Sequence, residues 1–166
     1  MQKYTEAIGE ALMEDNRLEN VGKAIGIGLM AGLAGTVAIT LSQTIGMKLT
    51  KRPPSTTPID AVSKVLDVEA TSEANKQKAS QEVHWTYGTG WGIARGLIAL
   101  AGMQGWPATA AHFLAIWGTE QVMLPSLKLS PPITDEEPKS IGIDVLHHAV
   151  YALAAGLVYD AIDTKS

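Results

Sequence analysis

The chain has 166 residues, of which 46% are hydrophobic and 18% are charged, and its 13 basic and 17 acidic side chains give a net charge of −4. It contains no cysteine, which excludes a disulfide-stapled module, a thiolate-bound metal and a cysteine nucleophile. The acidic balance also argues against a nucleic-acid partner, because nucleic-acid binding needs a basic face.

The charged side chains avoid half of the chain. Arg95 and Glu120 are the only charged residues inside four apolar segments, whereas a surface helix of a soluble protein carries charge on its outer face at every turn. We therefore predict an all-α integral membrane bundle of about four transmembrane helices. The alternative is a soluble all-α bundle with Ala- and Gly-rich core helices. The four predicted spans are Ile25–Met47, Val83–Trp106, Pro107–Leu127 and Val145–Tyr159.

The first 24 residues form a polar segment ahead of the first span. They carry eight charges, and Ile8, Leu12 and Met13 recur at helical spacing, which predicts a helix lying on the membrane surface. At about 1.5 Å per residue the first span measures roughly 34 Å, enough to cross a hydrocarbon core of about 30 Å. The predicted boundaries are 1–24 for the polar segment, 25–160 for the membrane domain with its polar loop at 48–82, and 161–166 for a tail.

The loop after the first span is predicted to be partly helical. Pro58 follows Thr57 at the start of a short helix that ends near Leu66, since Thr is a common N-cap and Pro is favoured in the first helical turn. A second helix start at Thr71 and Ser72 is predicted to run directly into the second span.

A tight turn at Gln104–Pro107 is predicted to make the second and third spans an antiparallel hairpin. Four spans place both termini on one side of the membrane, the terminal side, and both long loops on the other, the loop side. The loop side carries eight Lys and Arg residues and the terminal side carries four, so the positive-inside rule favours a cytoplasmic loop side.

Small residues recur at four-residue spacing in the first two spans. Such spacing lets two helix backbones approach closely, and close packing drives helix association in a bilayer. The pattern predicts either packing within the chain or a dimerisation face or hinge. The predicted packing residues are Gly28 and Gly32 in the first span and Gly88, Gly92 and Gly96 in the second.

Seven ionisable residues in or beside the spans form a predicted polar cluster. A charge at the centre of a membrane-spanning helix costs at least about 2.5 kcal/mol, so Arg95 and Glu120 are expected to be paired. Folding the hairpin at Gly105 places Arg95 about one helical turn from Glu120, which predicts an intramembrane ion pair. The cluster consists of Arg95, Glu120, Asp144 and the four histidines His84, His112, His147 and His148.

The simplest interpretation of this cluster is a set of hydrogen bonds that hold the helices together. A proton or ion path, a divalent-metal site and a histidine ligand for haem are the alternatives. No Glu-x-x-His run supports the metal interpretation, and no nucleophile lies in a recognisable catalytic motif. We therefore predict no catalytic residue and no cofactor.

Several motifs occur together along the chain: Ala31–Thr36, Arg52–Pro58, His84-Trp85 with Tyr87-Gly88, Arg95-Gly96, His112 with Trp117-Gly118, and Asp144 with His148. In combination they resemble a group of small bacterial inner-membrane proteins of unknown function, over roughly Gly22 to Asp160. The resemblance implies a four-helix membrane fold and no particular activity.

The predicted function is that of a non-enzymatic accessory or interaction subunit in the bacterial inner membrane. Its expected partners are the lipid bilayer and either a second copy or another membrane protein. One alternative is a small transporter or channel that uses the intramembrane Arg, Glu and His groups. A further alternative is a metal- or haem-binding membrane protein.

Overall fold

The computed structural model of the protein describes residues 2–51, 53–68 and 72–163, with side chains described from residue 16 onwards. Regular structure in these residues is helical, and no strand occurs in them. This confirms the predicted all-α class. The helices are α1 (Gln2–Thr50), α2 (Thr57–Leu66), α3 (Glu73–Leu100), α4 (Gly105–Ser126) and α5 (Pro138–Ile162), with a 3₁₀ turn at Ile133–Asp135.

The four predicted apolar segments lie largely within α1, α3, α4 and α5. Helix α1 begins at Gln2 and continues without a break to Thr50, so the polar N-terminal residues extend the first apolar segment instead of forming a separate helix. The predicted apolar face of Ile8, Leu12 and Met13 lies outside the residues whose side chains the structure describes.

The hairpin between α3 and α4 turns earlier than predicted. Helix α3 ends at Leu100 and α4 begins at Gly105, so Trp106 and Pro107 lie in the first turn of α4 and not in the loop. Gly102 follows the end of α3 with a φ of 90°, a conformation that glycine adopts without strain. Proline is tolerated near a helix N-terminus because the first backbone N–H groups have no partner within the helix.

Helix α2 and the start of α3 lie close to their predicted positions. The N-cap of α2 is Thr56, one residue earlier than predicted, and its hydroxyl donates a hydrogen bond of 2.8 Å to Asp60. Ser72 caps α3 by accepting a hydrogen bond from the backbone N–H of Asn75, whereas Thr71 lies outside the described residues.

Helix α2 packs against α3, buries one apolar side chain, Ile59, and forms one ion pair with α3. The ammonium group of Lys76 lies 2.8 Å from the carboxylate of Asp60. Burial raises the pKa of the Asp60 carboxyl, but the hydrogen bond and charge of Lys76 outweigh burial, so this pKa lies below its usual value. The same pairing raises the pKa of Lys76. The ion pair therefore holds the loop helix against α3 while both groups are charged.

Helix α1 lies between α3 and α5, and α4 packs mainly against α5. Where α1 and α3 cross, their backbones touch. A Cβ atom added to Gly32 would lie 2.8 Å from the Cα atom of Gly92, closer than real Cβ atoms approach, and Gly28 faces the carbonyl group of Gly92. All five predicted packing glycines therefore serve packing within the chain. The two remaining contacts of this kind are Gly88 against Thr36 and Gly96 against Ala24.

Two helices are long and apolar enough to cross a membrane, by their length and composition. They are residues Asn16–Thr50 of α1, which contain an 18-residue stretch with a mean hydropathy of 2.0, and α5, which contains one with a mean hydropathy of 1.6. This is weak support for membrane association, because a buried core helix of a soluble protein passes the same test. Of the four predicted spans, only those in α1 and α5 pass this test, so it does not confirm the predicted four-span bundle.

Gly92→Ala is expected to destabilise the bundle, with Gly90→Ala as the matched control. A Cβ atom at position 92 would meet the backbone of Gly28 and Gly32, whereas one at position 90 meets nothing within 4 Å. Overpacking costs about 1–3 kcal/mol, while Gly→Ala at an open helical position gains about 0.5–1 kcal/mol. Thermal unfolding in a mild detergent measures both changes. Equal stability of the two variants would contradict the close contact between α1 and α3.

Candidate functional site

Three ionisable side chains meet near the loop-side ends of α4 and α5. Glu120 comes from α4, and Asp144 and His148 lie one helical turn apart on α5. The Nε2 atom of His148 lies 2.7 Å from a carboxylate oxygen of Glu120, and its Nδ1 atom lies 3.1 Å from one of Asp144. We call Glu120, Asp144 and His148 the loop-side triad.

The contacts of His148 determine the charge of the loop-side triad. A carboxylate accepts hydrogen bonds and donates none, so an imidazole nitrogen that bonds to it must carry a proton. Both ring nitrogens of His148 face carboxylate oxygens, which fits an imidazolium cation between two anions. The triad then carries a net charge of −1.

Two polar side chains of α4 hold Asp144 in place. The indole Nε1–H of Trp117 donates a hydrogen bond of 2.8 Å to Oδ2 of Asp144, and the amide of Gln121 donates one of 3.3 Å to the same oxygen. Neither residue is among the predicted site residues, although Trp117 stands in one of the motifs that carry the family resemblance. The spacing of these two residues could have indicated a shared polar face. Trp117 and Gln121 lie four residues apart on the helix that carries Glu120, so they point to the same side of it.

His84 and His147 lie on α3 and α5, and both bond to hydroxyl groups of α1. The Nε2 atom of His84 lies 3.1 Å from the hydroxyl oxygen of Thr40, and Nδ1 of His147 lies 2.8 Å from that of Ser42. Thr40 donates its own proton to the carbonyl of Thr36, so it accepts from His84. These two histidines therefore join α3 and α5 to α1 and are not part of the triad.

Arg95 does not pair with Glu120, and that prediction is wrong. The guanidinium group of Arg95 is fully buried, and its Nη2 atom forms an ion pair with Asp160 at the terminal-side end of α5. Its central carbon lies 4.3 Å from the centre of the Tyr159 ring, within the range of a cation–π contact. Lys23 and Asp163 form a second ion pair between α1 and α5 at the same end, at 3.4 Å.

The position of the α3–α4 turn explains the error. With α3 ending at Leu100 and α4 beginning at Gly105, Arg95 lies opposite residues near Ala110. Glu120 is ten residues further along α4, which is about 15 Å of helix. Arg95 and Glu120 therefore lie towards opposite ends of the bundle, and each finds a partner on α5.

His112 lies apart from the other three histidines, in contact with α3 and α5. Its side chain is fully buried, and its Nε2–H donates a hydrogen bond of 2.9 Å to the backbone carbonyl of Trp91. Its ring centre lies 5.8 Å from that of Tyr151, whose hydroxyl donates a 2.6 Å hydrogen bond to the carbonyl of Gly88. The predicted cluster is therefore divided along the bundle instead of forming one site.

The loop-side triad is the part of the predicted cluster that offers a binding geometry. One ligand atom from each of its three residues lies within 4.8 Å of the other two, which is close enough to share a metal ion. Comparison of the chain with protein families, with curated proteins and with solved structures found no match. The resemblance to bacterial inner-membrane proteins and the transporter and haem interpretations stay predictions.

Double-mutant cycles distinguish Asp160, the observed partner of Arg95, from Glu120, the partner that the sequence predicted. Arg95→Met and Asp160→Asn are expected to show a coupling energy of about 1–3 kcal/mol in unfolding free energy, because the side chains touch. Arg95→Met and Glu120→Gln are expected to be additive within about 0.5 kcal/mol. Denaturant titration of the protein in detergent micelles gives both values. Coupling of Arg95 to Glu120 in place of Asp160 would contradict the pairing.

Proposed function

We propose that the protein is a multi-pass membrane protein in which α1, α3, α4 and α5 all span the bilayer, acting as a non-enzymatic accessory or interaction subunit. The observation that carries the proposal is the placement of side chains on α1. Its outward positions hold large aliphatic residues, such as Leu33 at 48%, Leu41 at 59% and Ile45 at 59% exposure. Several inward positions hold small or hydroxylic residues, such as the fully buried Ala31 and Thr36, beside the buried Ile27 and Ile39.

The same placement recurs on the other three long helices. Leu97 of α3, Leu114 of α4 and Leu157 of α5 are 53%, 61% and 65% exposed, while Arg95 and His112 are fully buried. A protein folded in water buries its leucines and exposes its charges, because apolar surface is removed from water on folding. In a bilayer, small residues pack between helices, polar groups face the interior and leucines contact lipid.

Inward-facing polar residues also lower the mean hydropathy of α3 and α4, which do not pass the length and composition test that α1 and α5 pass. The mean over a helix counts inward-facing polar residues together with outward-facing apolar ones. Arg95 and His112 lower the mean although neither side chain reaches the surface. A helix whose polar residues are buried in the bundle can therefore span a bilayer without a strongly apolar average.

The accessory role is supported by the contacts of the ionisable groups. All seven residues of the predicted cluster have hydrogen-bond or ion-pair partners on other helices or on their own helix. Such contacts between helices are typical of polar residues that stabilise membrane bundles. Among the described residues, the buried Nε and Nη1 atoms of Arg95 and Nδ1 of His112 have no hydrogen-bond partner.

The interaction role is supported by the outer surface of α4. This helix packs mainly against α5 within the chain, and its opposite face is a shallow apolar groove. The small side chains in the groove would let a transmembrane helix of another subunit approach closely. The groove is lined by Leu114, Ala115, Gly118, Thr119, Val122 and Met123.

Single-cysteine accessibility tests the four-span arrangement, since the chain has no cysteine of its own. Leu41→Cys and Leu114→Cys are expected to resist a water-soluble maleimide in open membrane fragments and to react after denaturation in SDS. The matched control is Val65→Cys in the loop helix, because Val65 is 67% exposed and the two leucines are 59% and 61% exposed. With similar exposure in the fold, protection of Leu41 indicates lipid, and protection of Leu114, which lines the α4 groove, indicates lipid or a partner helix. A Leu114→Cys variant that reacts as fast as Val65→Cys would contradict a membrane-spanning α4.

A photo-crosslinking amino acid at position 118 tests the interaction role. Gly118 lies in the groove of α4, and a Cβ atom there meets nothing within 4 Å, so the substitution fits the fold. Irradiation in native membranes is expected to give a protein adduct of defined mass, either a second copy or another membrane protein. The matched control is position 33 on the outer face of α1. Lipid adducts alone at both positions would contradict a partner helix on α4.

A further inference from the structure

We infer that the loop-side triad of Glu120, Asp144 and His148 is a binding site for one divalent transition-metal ion of the zinc class. This goes beyond the accessory role, which requires no ligand. The three residues supply two carboxylates and one imidazole, and one ligand atom of each lies within 4.8 Å of the others. Carboxylate and imidazole donors together suit Zn²⁺ and its neighbours, whereas Ca²⁺ and Mg²⁺ prefer oxygen ligands alone.

Each residue of the triad offers one ligand atom, and these atoms lie within 4.8 Å of one another. The imidazole stands between the two carboxylates, so an ion bound to Nε2 beside Glu120 requires the Asp144 carboxylate to turn from the Nδ1 side towards it. The Oδ2 atom of Asp144 is held by Trp117 and Gln121, which directs Oδ1 towards His148. The Nδ1 atom of His148 lies 3.0 Å from the backbone carbonyl of Asp144 and can donate to it. That bond would fix the tautomer in which Nε2 carries the lone pair, beside Glu120. Outer hydrogen bonds of this kind orient the ligands of protein-bound metals.

The position of the triad lets an ion reach it from water. Glu120 lies six residues before the end of α4 at Ser126, and Asp144 lies six residues after the start of α5 at Pro138. Both distances are about 9 Å along the helix, so the triad lies below the loop-side surface and not at the centre of the bundle. The side chains of Glu120 and Asp144 are 28% and 33% exposed, which leaves room for water or a further ligand on the ion.

Charge balance favours the exchange of a proton for a metal ion. Without metal, the imidazolium and two carboxylates sum to −1. Binding of a dication to Nε2 releases one proton from His148 to solvent, and the ion, the neutral imidazole and the two carboxylates sum to zero. A neutral cluster is less costly than a charged one in a low-dielectric bundle.

Equilibrium dialysis against ZnCl₂ tests the inference directly. The full chain is purified in a mild detergent through a tag without histidine, stripped with a chelator and dialysed with excess Mg²⁺ present. We expect one tightly bound Zn²⁺ per chain. Wild-type protein that retains no Zn²⁺ above the level of a detergent blank would overturn the inference.

Variants locate the ion and separate the triad from other histidines. Glu120→Gln keeps the size of the side chain and is expected to weaken Zn²⁺ binding at least tenfold. Trp117→Phe removes only the indole N–H that holds Asp144 and is expected to weaken binding about tenfold or more. His84→Asn is the matched control, because His84 bonds to Thr40 and not to the triad, and unchanged binding is expected.

Folding is checked for each variant by size-exclusion profile and thermal unfolding in detergent. Loss of binding in His84→Asn to the same extent as in Glu120→Gln would overturn the assignment to the triad. Zn²⁺ binding is measured on the folded chain in detergent, so its failure leaves the membrane-spanning proposal intact. Failure of the cysteine-accessibility experiment would in turn leave a positive zinc result standing.

Discussion

The backbone contact between α1 and α3 is the constraint on which the rest of the bundle depends. Gly28 and Gly32 meet Gly92 with no side chain between them, so the two helices approach more closely than any larger residue allows. This approach brings the hydroxyl groups of α1 within reach of histidines on its neighbours, as in the contact of Thr40 with His84. Glycine at these positions is therefore a condition for the polar interior as well as for packing.

The polar interior is divided between the two ends of the bundle, and α5 contributes to both. At the terminal side Asp160 compensates the buried charge of Arg95, and at the loop side His148 joins Glu120 to Asp144. Each arrangement places opposite charges in contact, which is what makes ionisable groups tolerable away from water. The Tyr159 ring covers the buried guanidinium group of Arg95, and Asp160 stays partly exposed, as the triad does. The two sites differ in charge, because the loop-side triad carries the excess negative charge that a cation would neutralise.

Much of the fold follows from one-dimensional patterns. Segments without charge predicted the four long helices, and four-residue spacing predicted the packing glycines, because both properties repeat along a single helix. The partner of Arg95 was not predictable in this way. It depends on the exact residue at which α3 ends, and Gly102, not Gly105, follows the end of that helix. An error of about three residues in the position of the turn shifts the residue opposite Arg95 by about six, which placed the expected partner on α4 and not on α5. The contacts of Asp144 with Trp117 and Gln121 were not predictable either. They depend on how α4 and α5 are rotated relative to each other, which no local pattern specifies.

Large aliphatic side chains cover the outside of α1, α3, α4 and α5, and the inside combines small and polar residues with a few isoleucines and the rings of Tyr151 and Tyr159. The central claim is that this surface faces lipid. Washing membranes that contain the protein with alkaline carbonate, followed by sedimentation, tests the claim most directly, because the wash removes peripheral proteins and leaves integral ones in place. We expect the protein to remain in the membrane pellet and to be released only by detergent. Its recovery in the soluble fraction would contradict the account and would make the bundle a soluble protein with an exposed apolar surface.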